Sequence, residues 1–427
     1  MNFIKKLFAD EDETGAILDL QQNFTDFDLP NELNRAIDDL AFTRCTPVQT
    51  ATLPYSIDGR DIIAQAQTGT GKTAAFLISI ITYHLENPEL NERVAGTPFA
   101  LIIAPTRELV LQITEDAVKL SRHTSMSIVS VVGGIDYEKQ KQQLGKAVDI
   151  VVATPGRLLD FCRSGIVDLS QVESLVIDEA DRMLNMGFIP DVRSIIRKTP
   201  RKERRQTQLF SATISSDIRR LAENWTLDPV TISIEPEQIA VDSVNQLVYL
   251  TTESEKFNVL FNLIHIQKII RAIIFVNRRD QTRILEEKLY RHGFRTGLLT
   301  GEVPQKKRIR TLDQFKNGEI ELLVATDVAG RGIHVDDISH VINYNLPEDP
   351  EDYVHRIGRT GRAGAMGTSI SLVCESDAFM LPAIENLLGE KLLCEQPEGP
   401  YLARIPAPIR KKRTNDTVVK RYRSRRR

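Results

Sequence analysis

Two short stretches hold residue types that handle phosphate. AQTGTGKT (66–73) places Gly69 and Gly71 just ahead of Lys72 and Thr73. Glycines let backbone N–H groups turn inward around anionic oxygens, and a helix starting near the lysine adds the positive end of its dipole. The backbone of Ala66, Gln67, Thr68, Gly69, Thr70 and Gly71 would cradle a triphosphate. Lys72 would reach the β- and γ-phosphates, and the Thr73 hydroxyl would ligate Mg²⁺. The usual signature opens on glycine, and here that position is Ala66. The second stretch, SLVIDEADRML (174–184), reads as a buried strand that ends in Asp178, Glu179 and Asp181. Carboxylates this close repel one another, so their crowding makes sense beside a cation and a polyanion. Asp178 is placed to hold the metal and Glu179 to take a proton from an attacking water. Asp181 is expected to pair with a neighbouring strand turn.

The rest of the chain supplies the elements that would position these residues. Strand-like runs alternate with helical patterns: DIIAQA then TAAFLISIITYHL, FALIIAP then TRELVLQITEDAVKL, DIVVAT then PGRLLDFCR, with SLVIDEAD and TQLFSAT following. Continuous apolar runs of this kind suit parallel strands covered by helices on both faces. The pattern restarts with RAIIFVN, RTGLLTG, IELLVATD, HVINYNLP and GTSISLV. The fold class expected is α/β, with two tandem domains built on parallel sheets. The expected boundaries are an N-terminal extension (1–22), a first domain (23–228), a linker (229–240), a second domain (241–395) and a basic, disordered tail (396–427). In open α/β sheets, ligands gather where strands run out, and the motifs all fall there.

Composition narrows the function classes. At 427 residues the chain is too long for one ordinary core. No apolar run is long enough to cross a bilayer, and the N-terminal residues lack a secretory core, so a cytoplasmic protein is expected. Cys45, Cys162, Cys374 and Cys394 are far apart in sequence, which predicts neither a zinc site nor a disulfide framework. RKKRTNDTVVKRYRSRRR (410–427) carries ten Lys/Arg against one Asp in a chain of net charge −3. Such a segment attracts phosphate backbones without reading sequence.

Taken together the motifs resemble the DEAD-box family of ATP-dependent RNA helicases, over about residues 24 to 375. They occur in family order: Phe24 and TPVQ ending at Gln49, AQTGTGKT, PTREL (105–109), Gly133-Gly134, TPGR (154–157), DEAD (178–181), SAT (211–213), IIFVN (273–277), QKKR (305–308), ATDVAGRGIHV (325–335) and HRIGRTGRAG (355–364). The resemblance implies two RecA-like domains with ATP and RNA bound across the inter-domain cleft. It implies that Gln49 reads the adenine edge with Phe24 packing nearby, and that Arg359 and Arg362 act as arginine fingers. His355 would position the water or link to the SAT segment, and Ser211 and Thr213 would couple hydrolysis to RNA binding. Pro105, Thr106, Arg107, Gly134, Thr154, Arg157, Thr300, Gly301, Arg308 and Thr326 match backbone-contacting RNA positions. Such contacts position a strand without reading its sequence.

Three departures stand out. Ala41 replaces a frequent Gly before Phe42 and is expected to be harmless. Gly330 replaces a common Ala and would loosen its loop. His334 replaces the usual Asp of the R-G-x-D pattern, which puts the ribose contact in doubt. The resemblance is strongest to a bacterial branch whose members work with the endonuclease that scaffolds RNA decay, so mRNA turnover is the leading pathway. Ribosome assembly is the alternative. The rivals from other classes are an ATP-gated RNA clamp with little turnover and a DNA translocase.

Overall fold

The computed structural model describes residues 22–67, 69–87, 94–234, 244–327, 338–361 and 366–409. The chain forms two compact units, with the passage from first to second at residues 235–236. In the first unit the strands are β1 (Ile62–Gln65), β2 (Ala100–Ile103), β3 (Ile128–Val131), β4 (Ile150–Ala153), β5 (Ser174–Ile177), β6 (Gln206–Ser211) and β7 (Val230–Ser233). Its helices are α1 (Asn31–Asp39), α2 (Pro47–Ile57), α3 (Lys72–Glu86), α4 (Arg107–Leu120), α5 (Tyr137–Leu144), α6 (Pro155–Arg163), α7 (Ala180–Asn185), α8 (Ile189–Ile196) and α9 (Ser216–Trp225). The strands make one sheet in the order β3-β4-β2-β5-β6-β1-β7, with every pairing parallel. Strands β2, β4 and β5 are buried at every position. Their content, Val, Ile and Leu apart from Ala100, Ala153 and Ser174, follows from helices covering both faces.

The second unit repeats the plan. Its strands are β8 (Val244–Leu250), β9 (Ala272–Phe275), β10 (Thr296–Leu299), β11 (Leu322–Ala325), β12 (His340–Asn343), β13 (Gly367–Val373) and β14 (Cys394–Glu395). Its helices are α10 (Lys256–Ile266), α11 (Arg279–Arg291), α12 (Gln305–Lys316), α13 (Pro350–Ile357) and α14 (Leu381–Leu388). The sheet order is β10-β11-β9-β12-β13-β8-β14, again parallel throughout. Lys256 is fully buried. Its ammonium donates to Asp377 at 2.9 Å and to the Tyr344 carbonyl at 3.0 Å, which offsets the loss of water around the charge. All four cysteines are free thiols, and among the described residues no helix is long and apolar enough to cross a membrane.

Three features differ from the sequence reading. Residues 230–233, expected in the linker, form β7 and close the sheet edge beside β1. Only Ile232 of this strand is buried, so the segment carries no continuous apolar run. The tail was expected to begin at 396, yet the chain stays packed to Ile409. Asn262 Nδ2 on α10 donates to the carbonyls of Tyr401 and Ala403 at 2.9 and 2.8 Å. The Tyr401 ring lies 5.6 Å from Tyr249, Ile405 packs on the same core, and the Ile409 N–H donates to the Arg291 carbonyl. Prolines break up the apolar residues of YLARIPAPI, so no helical or strand period shows. Residues 410–427, the basic part of the tail, lie outside the described residues.

Ala41, expected to be harmless, has φ +54°. A Cβ in the left-handed region meets the following carbonyl, so the family's usual glycine has a steric reason.

Two expectations follow for thermal denaturation. Ala41→Gly should stabilise the first unit by about 0.5–1 kcal/mol. Truncation after Glu395 should destabilise the second unit by about 2 kcal/mol through lost apolar burial, whereas truncation after Ile409 should leave its Tm unchanged.

Candidate active site and RNA interface

In each sheet the parallel register brings all carboxyl ends to one edge. In the first unit this edge receives 66–73 after β1, 105–109 after β2, 133–134 after β3, 154–157 after β4, 178–181 after β5 and the end of the SAT segment at β6. The expected site residues of each unit therefore share an edge of its sheet, although they are scattered in sequence.

The phosphate loop ends at Gly71, the N-cap of α3, with φ +93°. A side chain there would also collide with Gln49: a Cβ would lie 2.6 Å from its Nε2. Lys72 is buried, and its ammonium donates to the Ala66 carbonyl at 2.8 Å while sitting 3.9 Å from Asp178 Oδ1. Thr73 follows in the first turn of α3. Asp178 is 2% exposed, and its Oδ1 accepts the Glu179 N–H at 3.0 Å. Burial pushes its carboxyl up to about 6; the Lys72 ammonium pulls the other way, and Glu179 and Asp181 reinforce the rise. This carboxylate is short of positive charge, which is the environment a cation relieves. Among the described residues no group of three or more His, Cys, Asp or Glu is arranged to hold a metal alone. Asp178 and Thr73 offer oxygen donors of the kind Mg²⁺ takes.

Glu179 follows at φ +54°, ψ +54°, a left-handed conformation unusual for a side chain of this size. Asp181 does what the sequence suggested. Its Oδ2 accepts the N–H groups of Ala212 and Thr213, both at 3.0 Å, and the Thr213 hydroxyl at 3.3 Å. In return Ser211 Oγ accepts the Asp181 N–H at 3.1 Å. The DEAD and SAT segments are thus tied as one unit.

Gln49 is buried and tied into the protein. Its Oε1 accepts the Thr46 N–H at 2.8 Å, and its Nε2 donates to the Gly71 carbonyl at 3.0 Å. The side chain expected to read a base therefore touches the phosphate loop directly. Phe24 is buried, with its ring stacked 6.1 Å from that of Phe42.

Of the expected RNA contacts in the first unit, Thr106 caps α4 by accepting the Leu109 N–H, and Pro105 precedes it. Arg107 opens α4 with its guanidinium close to Gly133, where an added Cβ would sit 3.4 Å from Nη2. Gly134 has φ +77°. Thr154 stands at the N-cap position of α6 without a side-chain capping bond, and Arg157 lies over the rings of Tyr137 and Phe161 at 5.4 and 5.7 Å. In the second unit Thr300 and Gly301 follow β10 and Thr326 follows β11, while Arg308 is held on α12. Thr300, Arg308 and Thr326 are all buried.

His355 lies on α13 with Nδ1 3.7 Å from Asp352. Arg359 is buried beyond the helix, its Nε donating to the His355 carbonyl at 3.2 Å. Thr68, Gly330, His334 and Arg362 lie outside the described residues. One residue was missed entirely. Arg356 is 2% exposed. It donates twice to Asp327 (2.6 and 2.7 Å), to Asn277 (2.8 Å), to the Asn345 carbonyl (2.6 Å) and to Asn343 (3.2 Å). It ties the IIFVN and ATD segments to the helix that carries the HRIGR motif. The signal was present in the sequence: Tyr353, Arg356 and Ile357 form one i, i+3, i+4 face of an amphipathic helix.

Comparison with known proteins agrees with this geometry. Residues 46–221 match the DEAD/DEAH box helicase family and residues 255–364 the helicase conserved C-terminal domain. The chain is 56% identical over 384 residues to the ATP-dependent RNA helicase RhlB of Pseudomonas putida, covering 90% of this chain and 96% of the relative. It is 43% identical over 405 residues to RhlB of Shewanella baltica, covering 95% and 92%. Among solved structures, S. cerevisiae Dbp5 bound to RNA and ADP BeF3 is similar with a TM-score of 0.78 at 33% identity, over 88% of this chain and 95% of that one. Mss116p bound to ssRNA and AMP-PNP gives a TM-score of 0.76 at 31% identity, over 87% and 78%.

The raised Asp178 value has a consequence for stability. The folded carboxyl holds its proton to higher pH than the unfolded one, so this group's contribution to stability falls as pH rises through about 4 to 6. Without ligand near pH 7, Asp178→Asn should therefore melt a few degrees above the parent protein, with the difference shrinking toward about pH 4. The same variant should not hydrolyse ATP.

Proposed function

The chain belongs to the DEAD-box family of ATP-dependent RNA helicases, and from that membership we propose that it locally unwinds short RNA duplexes by coupling Mg-ATP hydrolysis to bending of one strand. The observation that carries the coupling is the Asp181 carboxylate, which accepts the Arg182 N–H through Oδ1 and the Ala212 and Thr213 N–H groups of the SAT turn through Oδ2.

The roles follow from the chemistry. The loop 66–71 holds the triphosphate by backbone N–H groups, and Lys72 exchanges the Ala66 carbonyl for phosphate oxygens. Thr73 and Asp178 would hold Mg²⁺, partly through water, and the ion would supply positive charge to offset that of the phosphates. Glu179 takes the proton of the attacking water. Arg359 and Arg362 stabilise charge developing on the γ-phosphate, which a guanidinium fork suits well. Gln49 senses the base and reports to the loop through Gly71. The backbone-contacting residues hold RNA without sequence preference, and the basic tail adds salt-sensitive affinity. A cytoplasmic role in mRNA turnover, with the endonuclease scaffold of the bacterial RNA degradosome as partner, is the pathway supported by the likeness to RhlB.

Steady-state ATPase should be low alone, rise strongly with single-stranded RNA and respond little to matched DNA. Glu179→Gln should retain ATP binding yet lose RNA-stimulated turnover. Equal stimulation by DNA, or an active Glu179→Gln enzyme, would overturn this reading.

A further inference from the structure

The mechanism leaves one buried charge without a task. Arg182 is 3% exposed and sits one turn along α7 from Glu179. Its Nη1 donates to Glu179 Oε2 in a close ion pair. Its Nε and Nη2 are buried with no hydrogen-bond partner. A guanidinium has five N–H donors, and a buried arginine normally uses most of them, as Arg356 does here. The Glu179 contact is therefore the tether that holds this side chain, and Arg182 holds Glu179 in turn.

The same residue is joined to the coupling segment. The Arg182 N–H donates to Asp181 Oδ1 at 2.8 Å, and the other Asp181 oxygen accepts from Ala212 and Thr213. An unbroken path runs from the SAT turn through Asp181 and Arg182 to the Glu179 carboxylate. A carboxylate oxygen held by a guanidinium is fixed in place and has one lone pair fewer to present to a water.

We propose that Arg182 is a positioning residue that restrains Glu179 in the RNA-free enzyme and releases it when the SAT turn shifts. The restraint keeps hydrolysis from running without RNA. The inference rests on the reading of Glu179 as the base and of the SAT turn as the coupling element.

The test is steady-state ATPase of the full chain carrying Arg182→Gln, with and without saturating single-stranded RNA, beside Arg182→Lys and Glu179→Gln. Arg182→Gln should raise RNA-free kcat by about fivefold or more. Its KM for ATP and its RNA-saturated kcat should stay within about twofold of the parent. Arg182→Lys keeps a cation able to pair with Glu179 and should restore the low RNA-free rate. General loss of structure cannot raise a basal rate, so this outcome separates restraint from damage. An unchanged or lower RNA-free kcat in folded Arg182→Gln overturns the proposal. If Arg182→Gln fails to fold, the near-isosteric Arg182→Met takes its place with the same criteria. Turnover by Glu179→Gln would instead show that the assignment of the base had failed.

Discussion

Parallel strand pairing in both sheets means that each strand needs a crossover before the next can pair, and each crossover begins at the same edge. That constraint places side chains from positions as distant as 72, 107, 157, 178 and 213 on one rim of the first unit. It places 277, 300, 326 and 356 around the corresponding rim of the second. Catalytic geometry therefore depends on strand register. A one-residue slip of β5 against β2 or β6 would turn Asp178 away from Lys72 and break the Asp181 links to the SAT turn. The helices matter to the chemistry chiefly because they cover both faces and so hold that register.

A second theme is how fully the ligand-free site bonds to itself. Lys72 spends a hydrogen bond on Ala66, Gln49 bonds Thr46 and Gly71, and Glu179 holds Arg182. Buried polar groups left unpaired are expensive, and Lys72 and Gln49 are paired within the protein, whereas Arg182 Nε and Nη2 are not. If these side chains take up substrate as proposed, binding is an exchange of partners, and its net free energy is the difference between two sets of contacts. That favours selectivity for a ligand able to replace several contacts at once, such as a complete triphosphate with its base.

Much of this was legible in the sequence, for reasons that can be stated. The strands DIIAQA, FALIIAP, DIVVAT and TQLFSAT were readable because burial on both faces demands unbroken apolar runs. The helix Pro155–Arg163 was expected as PGRLLDFCR. The phosphate loop and the paired carboxylates were readable because their chemistry restricts residue type at short spacing. What escaped depends on contacts remote in sequence. Strand β7 has a single buried residue, and the segment through Ile409 is held by Asn262, Tyr249 and Arg291, none of them near it in sequence. Arg356 was overshadowed by the arginines that follow it. The strain at Ala41 is invisible without a backbone angle.

The backbone of Glu179 has one more implication, for how such a chain tolerates change. Its left-handed conformation would be easier for glycine or asparagine, although a neutral side chain would leave the buried Arg182 guanidinium without its ion pair. One preference of the fold, that of the backbone, therefore opposes the residue proposed as the base. The position thus shows a trade between backbone ease and the chemistry proposed for its carboxylate.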